Sequence, residues 1–350
     1  VGNSPFETLK QDSQGVPGGV VIVTAKGTVR HVEAFGHFTF AADSPPVTTA
    51  TVFDLASVTK VVATTAMAMV LYDRGRVDLE QPLVEIVPEF RTDDPRREVI
   101  TLRMLLAHSS GLPPHQRYFE TCRSRDELLQ ALFTTPLKSD PMSQAGYSDL
   151  GFILLGMALE RLANDSLAVF CEREIFVPLE MTRTRFNPPA EWKSIIPPTL
   201  DDDYFRHRII QGEVNDENAY LMGGVAGHAG LFAPAEDVAK FALCMLRGGS
   251  PIIRPGTVRL FTQRQPQPVD TSRTLGWDTP SAPSQAGKHF SAASYGHLGY
   301  TGTSLWIDPQ RDVSITLLTN RTWPDAKSQA IKQVRPAVHD VMMEALLTDQ

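Results

Sequence analysis

Cysteine, long apolar runs and basic charge are all scarce in this chain, and each shortage removes a class of protein. Only three of the 350 residues are cysteine, Cys122, Cys171 and Cys244. They are far apart, with no C-x-x-C pair and no histidine at zinc-ligand spacing, so they encode neither a disulfide framework nor a zinc site. They are expected to be small buried hydrophobes, and the redox compartment stays open. No window reaches the roughly 18 uninterrupted apolar residues that a membrane-spanning helix needs, and the N-terminus lacks the basic and apolar regions of a secretory leader. The first residue is Val1 rather than Met, which fits a processed product. A periplasmic or extracytoplasmic placement follows if a leader or lipid anchor has been removed, and a cytoplasmic one otherwise.

Lys and Arg number 33 against 40 Asp and Glu, a formal charge of -7. Without a basic stripe to neutralise phosphates, the chain is not a nucleic-acid or anionic-membrane binder. The short basic runs Arg96-Arg97 and Arg206-His207-Arg208 lie close to acids and read as solvated surface. The run Asp201-Asp202-Asp203 has no spaced fourth ligand and reads as an exposed loop rather than a metal site. A phosphate loop and a nucleotide fingerprint are both missing. Nothing calls for a metal or an organic cofactor. The expected partner is a small-molecule or peptide substrate, and oligomeric state is left open.

The chain does have a globular composition: 42% hydrophobic and 21% charged residues over this length can bury one extended core or two cooperating domains. Residues 3–13 have the pattern of a short amphipathic helix. Gly18 to Thr24 and Thr28 to Phe35 read as two strands of a hairpin, with Gly27 supplying the positive φ of its turn. A loop from His37 to Ala50 leads to a short apolar, strand-like run, Thr51 to Ala56, and then to a long Ala/Met/Val-rich helix from about Val58 to Arg74, ended by Gly75. Residues 78–235 read as helices, clearest at about 125–133, 149–163 and 168–175, with no convincing alternating strand. A helix at about 235–246 precedes a Pro/Gln-rich loop over 251–292. Thr303 to Asp308 and Val313 to Thr319 form a second hairpin around Pro309-Gln310-Arg311-Asp312, and an amphipathic helix covers about 326–347. Strands at both ends with helices between them imply one sheet built from residues 1–60 and 236–350, a mainly helical subdomain over 61–235, and a cleft between the two.

Three local patterns carry chemistry. Ser57-Val58-Thr59-Lys60 is an S-x-x-K pattern at a helix start, which places a hydroxyl and an amine on one face. A serine hydroxyl needs a base to become nucleophilic, and a desolvated lysine of lowered pKa can serve. The helix start adds N–H groups and a positive dipole end for the anion formed on attack. S-x-x-K is common by chance, so the pattern means little alone. Tyr147-Ser148-Asp149 precedes another helix. A tyrosine beside a lysine can exist partly as phenolate and relay a proton, although a lone tyrosine is usually a packing residue. His297-Leu298-Gly299-Tyr300 is a glycine-bearing entry to a strand, where a freed N–H can face an oxyanion; in isolation it is only a bulge.

Taken in order, S-x-x-K, Y-x-D and H-x-G resemble the serine β-lactamase and penicillin-binding protein superfamily, in its class C-like branch. Four longer segments are similar to that family as well: LRMLLAHSSGL (102–112), YSDLGFILLGMALE (147–160), GGVAGHAGLFAPAEDVAK (223–240) and GHLGYTGTSLWIDP (296–309). The resemblance implies a mixed α/β (α+β) fold of the β-lactamase/transpeptidase type, an antiparallel sheet flanked by helices with a mainly helical inserted subdomain. It implies Ser57 as the acylated nucleophile, Lys60 as its base or electrostatic partner and Tyr147 as the proton shuttle. The N–H groups of Ser57 and Tyr300 would form the oxyanion hole beside Gly299.

Two departures stand out. Asp149 occupies the usual asparagine position, where it could pair with Lys60, keep it charged and leave Tyr147 the stronger base. His297 and Leu298 replace a lysine and a threonine, giving a weaker clamp for a substrate carboxylate. His228, in Gly227-His228-Ala229-Gly230, is a possible cleft residue, and His108 belongs to a structural turn. The resulting expectation is a serine hydrolase of the penicillin-binding, D-Ala-D-Ala peptidase kind. A carboxylesterase of the same fold ranks second and a β-lactamase third, and a non-catalytic binding module is the alternative from another class.

Overall fold

The structure, a computed structural model, describes residues 16–348, so the helix expected over residues 3–13 lies outside the described residues. The main sheet has five antiparallel strands in the order β2-β1-β10-β9-β8. They are β1 (Gly18–Ala25), β2 (Thr28–Gly36), β8 (Tyr295–Leu298), β9 (Ser304–Asp308) and β10 (Val313–Thr319). Lys26 and Gly27 both take positive φ, 51° and 75°, the two-residue geometry that matches strand twist in a tight hairpin. β1 pairs with β10 over its length, Val20 opposite Leu318 and Val21 opposite Leu317, which joins the two ends of the chain.

Both central strands are buried along their length, so each face of the sheet needs a cover. Val20, Ile22 and Leu318 share a core with Val238, Phe241 and Met245 of the helix Ala235–Leu246. Val21, Val23, Ile315 and Leu317 pack with Val338, Met342 and Met343 of the C-terminal helix Ile331–Thr348. That helix contains Pro336, which cannot donate to the carbonyl one turn back, and the Lys332 carbonyl accepts from Gln285 Nε2 instead (3.1 Å).

The segment after β3 (Val52–Asp54) changes form three times: a 3-10 turn over Ala56–Val58, a wide π turn over Lys60–Thr65, and an α-helix over Ala66–Asp73. Nearly every side chain in it is buried, as expected of a helix that is apolar all round. Wide turns of this type concentrate at functional sites.

Several expectations are corrected. The stretch 78–235 does contain strands, β4 (Arg185–Phe186), β5 (Leu200–Asp202), β6 (Arg208–Ile210) and β7 (Leu231–Pro234). β7 sits between β3 and β4 in a second sheet, and β5 pairs with β6. Such short elements leave no readable alternation. The loop over 251–292 contains a helix, Pro255–Thr262, opened by its proline. The segment from His297 to Thr303 does lead into a strand, β9, as expected, but His297 itself also lies on a further strand, β8.

Two arginines and an aspartate assigned to the surface are buried. Arg97 donates to the carbonyls of Phe90, Phe133 and Thr135, and Arg206 pairs with Asp202 at 3.0 Å while donating to the carbonyls of Val214 and Asn215. Each acts as a multidentate staple for loop carbonyls, a role open to a planar guanidinium. The three cysteines are free and buried. No helix among the described residues is long and apolar enough to cross a membrane.

His339 sits fully buried between the sheet and the C-terminal helix. Its Nδ1 donates to the Gln285 carbonyl (3.0 Å), leaving Nε2 to accept from Ser304 Oγ (3.1 Å). Burial, with the charge of Arg335 a turn away, pulls its pKa down to about 3. Because the unfolded chain protonates near 6.5 and the folded one near 3, acid favours unfolding across that window. Unfolding free energy measured by urea titration between pH 6.5 and 4 is expected to fall with decreasing pH. For this group the slope approaches ~1.4 kcal/mol per pH unit, and His339→Asn should flatten the dependence by about that amount. An unchanged slope would show that His339 is not held neutral.

Candidate active site

The nucleophile turn is built by Asp54 at the end of β3. Its Oδ1 accepts from the Ala56 N–H (2.8 Å) and its Oδ2 from the Asn215 N–H (2.7 Å). These bonds hold Ala56 at φ 46°, a left-handed conformation that strains a non-glycine residue, and the chain then swings into the helical turn that begins with Ser57. From the other side Thr301 Oγ1 donates to the Asp54 carbonyl (2.8 Å) and Thr303 Oγ1 to the Leu55 carbonyl (2.9 Å). The β8–β9 turn is thereby stitched to the serine turn. Gly299 lies so close that a Cβ there would stand 2.6 Å from the Leu55 oxygen, so only glycine fits.

Ser57 Oγ is 2.7 Å from Tyr147 Oη and accepts from Lys60 Nζ at 2.9 Å. Lys60, fully buried, also lies within hydrogen-bond distance of Tyr147 Oη (2.7 Å), Asp149 Oδ1 (2.7 Å) and the His228 carbonyl (3.0 Å), four oxygens in all for at most three N–H groups. Tyr147 Oη donates to Asp149 Oδ1 at 2.9 Å. Ser148 caps the helix Asp149–Ala163, its Oγ accepting from the Gly151 N–H and donating to the Pro113 carbonyl, while its own N–H donates to His108 Nδ1. The His108 ring, 4.9 Å from that of Tyr147, backs the tyrosine. The fold thus brings Ser57, Lys60, Tyr147 and Asp149 into one cluster. His228 enters through its carbonyl, and its imidazole is buried against Asp216 (2.8 Å).

Burial lowers the Lys60 pKa, and the Asp149 charge opposes that shift. Burial pushes the Asp149 carboxyl up, but the charge of Lys60 and the bonds from His115 and Lys60 hold it well below the usual carboxylate range. Burial, followed by the Asp149 charge, drives the Tyr147 phenol well above its ordinary value. Burial, with the Asp149 carboxylate beside it, therefore favours the protonated phenol over the partial phenolate expected from the sequence. A count of protons sharpens the role open to Lys60. The His228 carbonyl and an ionised Asp149 can only accept, so they occupy two of its N–H groups. The remaining direction faces Ser57 Oγ and Tyr147 Oη, and in the neutral amine it can carry the lone pair.

His297 has its ring 6.2 Å from that of Tyr147. Its Nδ1 donates to the Leu298 carbonyl (2.7 Å), so Nε2 is the unprotonated nitrogen, without a partner among the described residues. Burial and the nearby Lys60 and Arg273 pull its pKa down to about 3. It is therefore a hydrogen-bond acceptor, and not even a weak cationic clamp.

The nearby cation is Arg273, which the sequence did not single out. Its guanidinium lies 5.8 Å over the Tyr147 ring, with Nη1 3.3 Å from Asp278 Oδ2. Asp278 pairs through its backbone with Gly296 on β8, which sets this loop beside the cleft. His115 was missed as well. Its Nδ1 stands 3.6 Å from Asp149 Oδ2, and that carboxylate raises the imidazole pKa. Neither residue lies at a fixed spacing from a motif, so the sequence offered no signal for them.

A partly exposed serine and tyrosine gathered on a buried lysine, beside the β8 edge of an antiparallel sheet, is the arrangement expected of a serine acyl-transfer enzyme, and comparison with known proteins gives the family. A family model described as Beta-lactamase matches residues 6–338, and the chain belongs to that family. It is similar to N-acetylmuramyl-L-alanine amidase of Bacillus subtilis (strain 168), 34% identical over 346 residues that cover 88% of this chain and 78% of that protein. It is also similar to the protein named "Putative D-alanyl-D-alanine carboxypeptidase" of Escherichia coli (strain K12), 32% identical with 78% and 70% covered. Among solved structures, the hydrolase EstCE1 superposes with a TM-score of 0.76 at 22% identity, covering 96% of this chain and 97% of that one. A class C beta lactamase from Rhodobacter sphaeroides gives 0.75 at 19%, covering 98% of each. These structural likenesses establish the fold, and with the family they make the chain a serine hydrolase.

Because Asp149 raises the Lys60 pKa through charge and a hydrogen bond, Asp149→Asn should lower it further. The measurement is an NMR titration of the Lys60 side chain in the two proteins. An upward shift, or none, would show that the carboxylate does not hold the ammonium.

Proposed function

We propose that this protein hydrolyses an amide at an alanine residue of a carboxylate-bearing peptide, as a D-Ala-D-Ala peptidase does, through an acyl-enzyme on Ser57. The observation that carries the reading is Ser57 Oγ lying within hydrogen-bond reach of both Lys60 Nζ and Tyr147 Oη. The reaction begins as Ser57 Oγ bonds to the substrate carbonyl carbon while its proton passes to the Lys60 lone pair, directly or through Tyr147. The N–H groups of Ser57 and Tyr300 receive the oxyanion. The C–N bond then breaks, the amine leaves with a proton from Tyr147, and Tyr147 regains one from Lys60. Water attacks the resulting ester, its proton returning by the same route, and Ser57 and the free acid are released.

The substrate class rests on the names of the relatives and on charge. Both curated relatives are named for amide hydrolysis at alanine. Arg273 supplies the cation that His297 cannot, and a peptide carboxylate is its natural complement. The second reading, a carboxylesterase, is favoured by Leu298 and the neutral His297, which remove two carboxylate-facing donors.

Ser57→Ala should abolish fluorophosphonate labelling and reduce turnover by at least about 10⁴-fold. Wild-type protein should release D-alanine from a D-Ala-D-Ala peptide, or the alanine-initiated peptide from a muramyl-L-alanine peptide, faster than it turns over p-nitrophenyl butyrate or nitrocefin. Arg273→Met should raise KM for the carboxylate-terminated peptide about tenfold or more and leave the ester assay near its wild-type value. Rapid ester turnover without amine release would select the esterase instead. Persistence of labelling in Ser57→Ala would exclude the mechanism, and inertness without labelling would indicate a binding module.

A further inference from the structure

Behind the turn that carries Tyr300 lie two arginines with no acidic partner among the described residues. Arg335, on the C-terminal helix, is 5% exposed and donates from Nη2 to the Gly299 carbonyl at 2.7 Å. Arg321, just after β10, is 7% exposed and donates from Nε to the Tyr300 carbonyl at 2.7 Å. Their other partners are neutral: the carbonyls of Ala326 and Ser328 and the face of the Tyr300 ring (4.4 Å to its centroid) for Arg321, and the Gln285 side chain at 3.4 Å for Arg335. The Nε of Arg335 has no partner at all among the described residues. Burial pulls the Arg335 pKa down to about 10, helped by the charge of Arg321, so the group is still a cation at neutral pH. Two neighbouring buried cations without a carboxylate oppose folding, and a purely structural clamp could be made from neutral donors.

Their placement supplies a reason. A trans peptide is planar, so a carbonyl fixed in one direction aims the N–H of the same peptide in the opposite one. The Gly299 oxygen accepts from the Gly302 N–H of its own turn (3.0 Å) as well as from Arg335 (2.7 Å), so the turn and the arginine together direct the Tyr300 N–H away from the helix. Cationic donors on a carbonyl also polarise the peptide and strengthen its N–H as a donor, and a charge in a water-poor site acts over several ångströms with little screening.

We propose that Arg335 is a positioning residue whose charge polarises the Gly299–Tyr300 peptide and strengthens the Tyr300 N–H as a donor to the oxyanion of the tetrahedral intermediate, with Arg321, on the next peptide, adding only its nearby charge. The inference rests on the acyl-enzyme reading above. Its benefit is confined to the transition state, where negative charge develops on the substrate oxygen; substrate binding and folding gain nothing from it.

The test compares Arg335→Gln, which keeps a donor but loses the charge, with Arg335→Lys, which keeps the charge. Wild-type protein is first shown to label at Ser57 with a fluorophosphonate. Failure at that step removes the acyl-enzyme reading and not this one alone. For protein that labels, Arg335→Gln should lower kcat about tenfold or more, hold KM within about twofold, and leave Tm unchanged or higher because an unpaired buried charge is gone. Arg335→Lys should keep kcat within a few-fold of wild type. A fall in Tm with kcat of the folded enzyme intact would make Arg335 a structural clamp and overturn the proposal. If Arg335→Gln does not fold, Arg335→Lys decides: retained kcat supports the role of charge, and an equal loss of kcat at unchanged Tm overturns it.

Discussion

A lysine nitrogen cut off from water has to find its hydrogen-bond partners inside the protein, and Lys60 finds four oxygens contributed by three separate segments of chain. That requirement explains much of the surrounding architecture. The wide turn over Lys60–Thr65 sets the side chain at the buried side of the serine. The helix Asp149–Ala163, capped by Ser148, brings Tyr147 and Asp149 to it, and the Gly227-to-Gly230 segment turns the His228 carbonyl inward. An unsatisfied amine in this position would be costly, so the three segments are coupled: moving one strands the lysine of the others.

The carboxylate at position 149 changes the character of this network. An asparagine there could offer a substrate both a donor and an acceptor, whereas an ionised aspartate only accepts. His297 changes in the same sense, because the Leu298 carbonyl fixes its proton on Nδ1 and leaves an acceptor at Nε2. The cleft therefore has more acceptors than its relatives' motif pattern implies, and its positive charge comes from Arg273 on a loop instead of from the β8 strand. Burial, and next the same carboxylate, raise the Tyr147 pKa, which is why the proposed mechanism passes the serine proton to the lysine.

How much of this the sequence disclosed follows from the range of the forces involved. Ser57 and Lys60 were legible because their relation is set by helical spacing within one segment. The two hairpins were legible because Gly27 and the Pro309-to-Asp312 turn interrupt alternating apolar runs. Tyr147 and His297 could be named, but their protonation could not, since it depends on Asp149 and on a backbone carbonyl whose positions only the fold provides. The buried arginines escaped for a related reason. Arg97 and Arg206 sit in polar sequence, and what buries them is a set of loop carbonyls distant along the chain. Strands of two to four residues, such as β4 and β7, exist only because a neighbour completes their hydrogen bonds, so they leave no local period.

The features that oppose folding gather at the catalytic cleft. Ala56 is held in a left-handed conformation, Lys60 is desolvated, and His108 and His297 are kept neutral by burial. A fold selected for stability alone would relax each of them, and the apolar packing of the central helix and the sheet, with Val61, Val62, Met67 and Leu318 fully buried, is what can carry them. Ala56 carries its strain on one of the two turns that the threonines 301 and 303 stitch together, where, on the mechanism proposed, a serine oxygen and two backbone N–H groups converge on one carbonyl group. Pre-organisation of this kind reduces the reorganisation needed when charge develops, and it requires that the ground state already hold the arrangement at its own expense. On the proposal above, the long C-terminal helix then has a purpose beyond covering the sheet, because through Arg335 it places a positive charge on the peptide that carries one of those N–H groups.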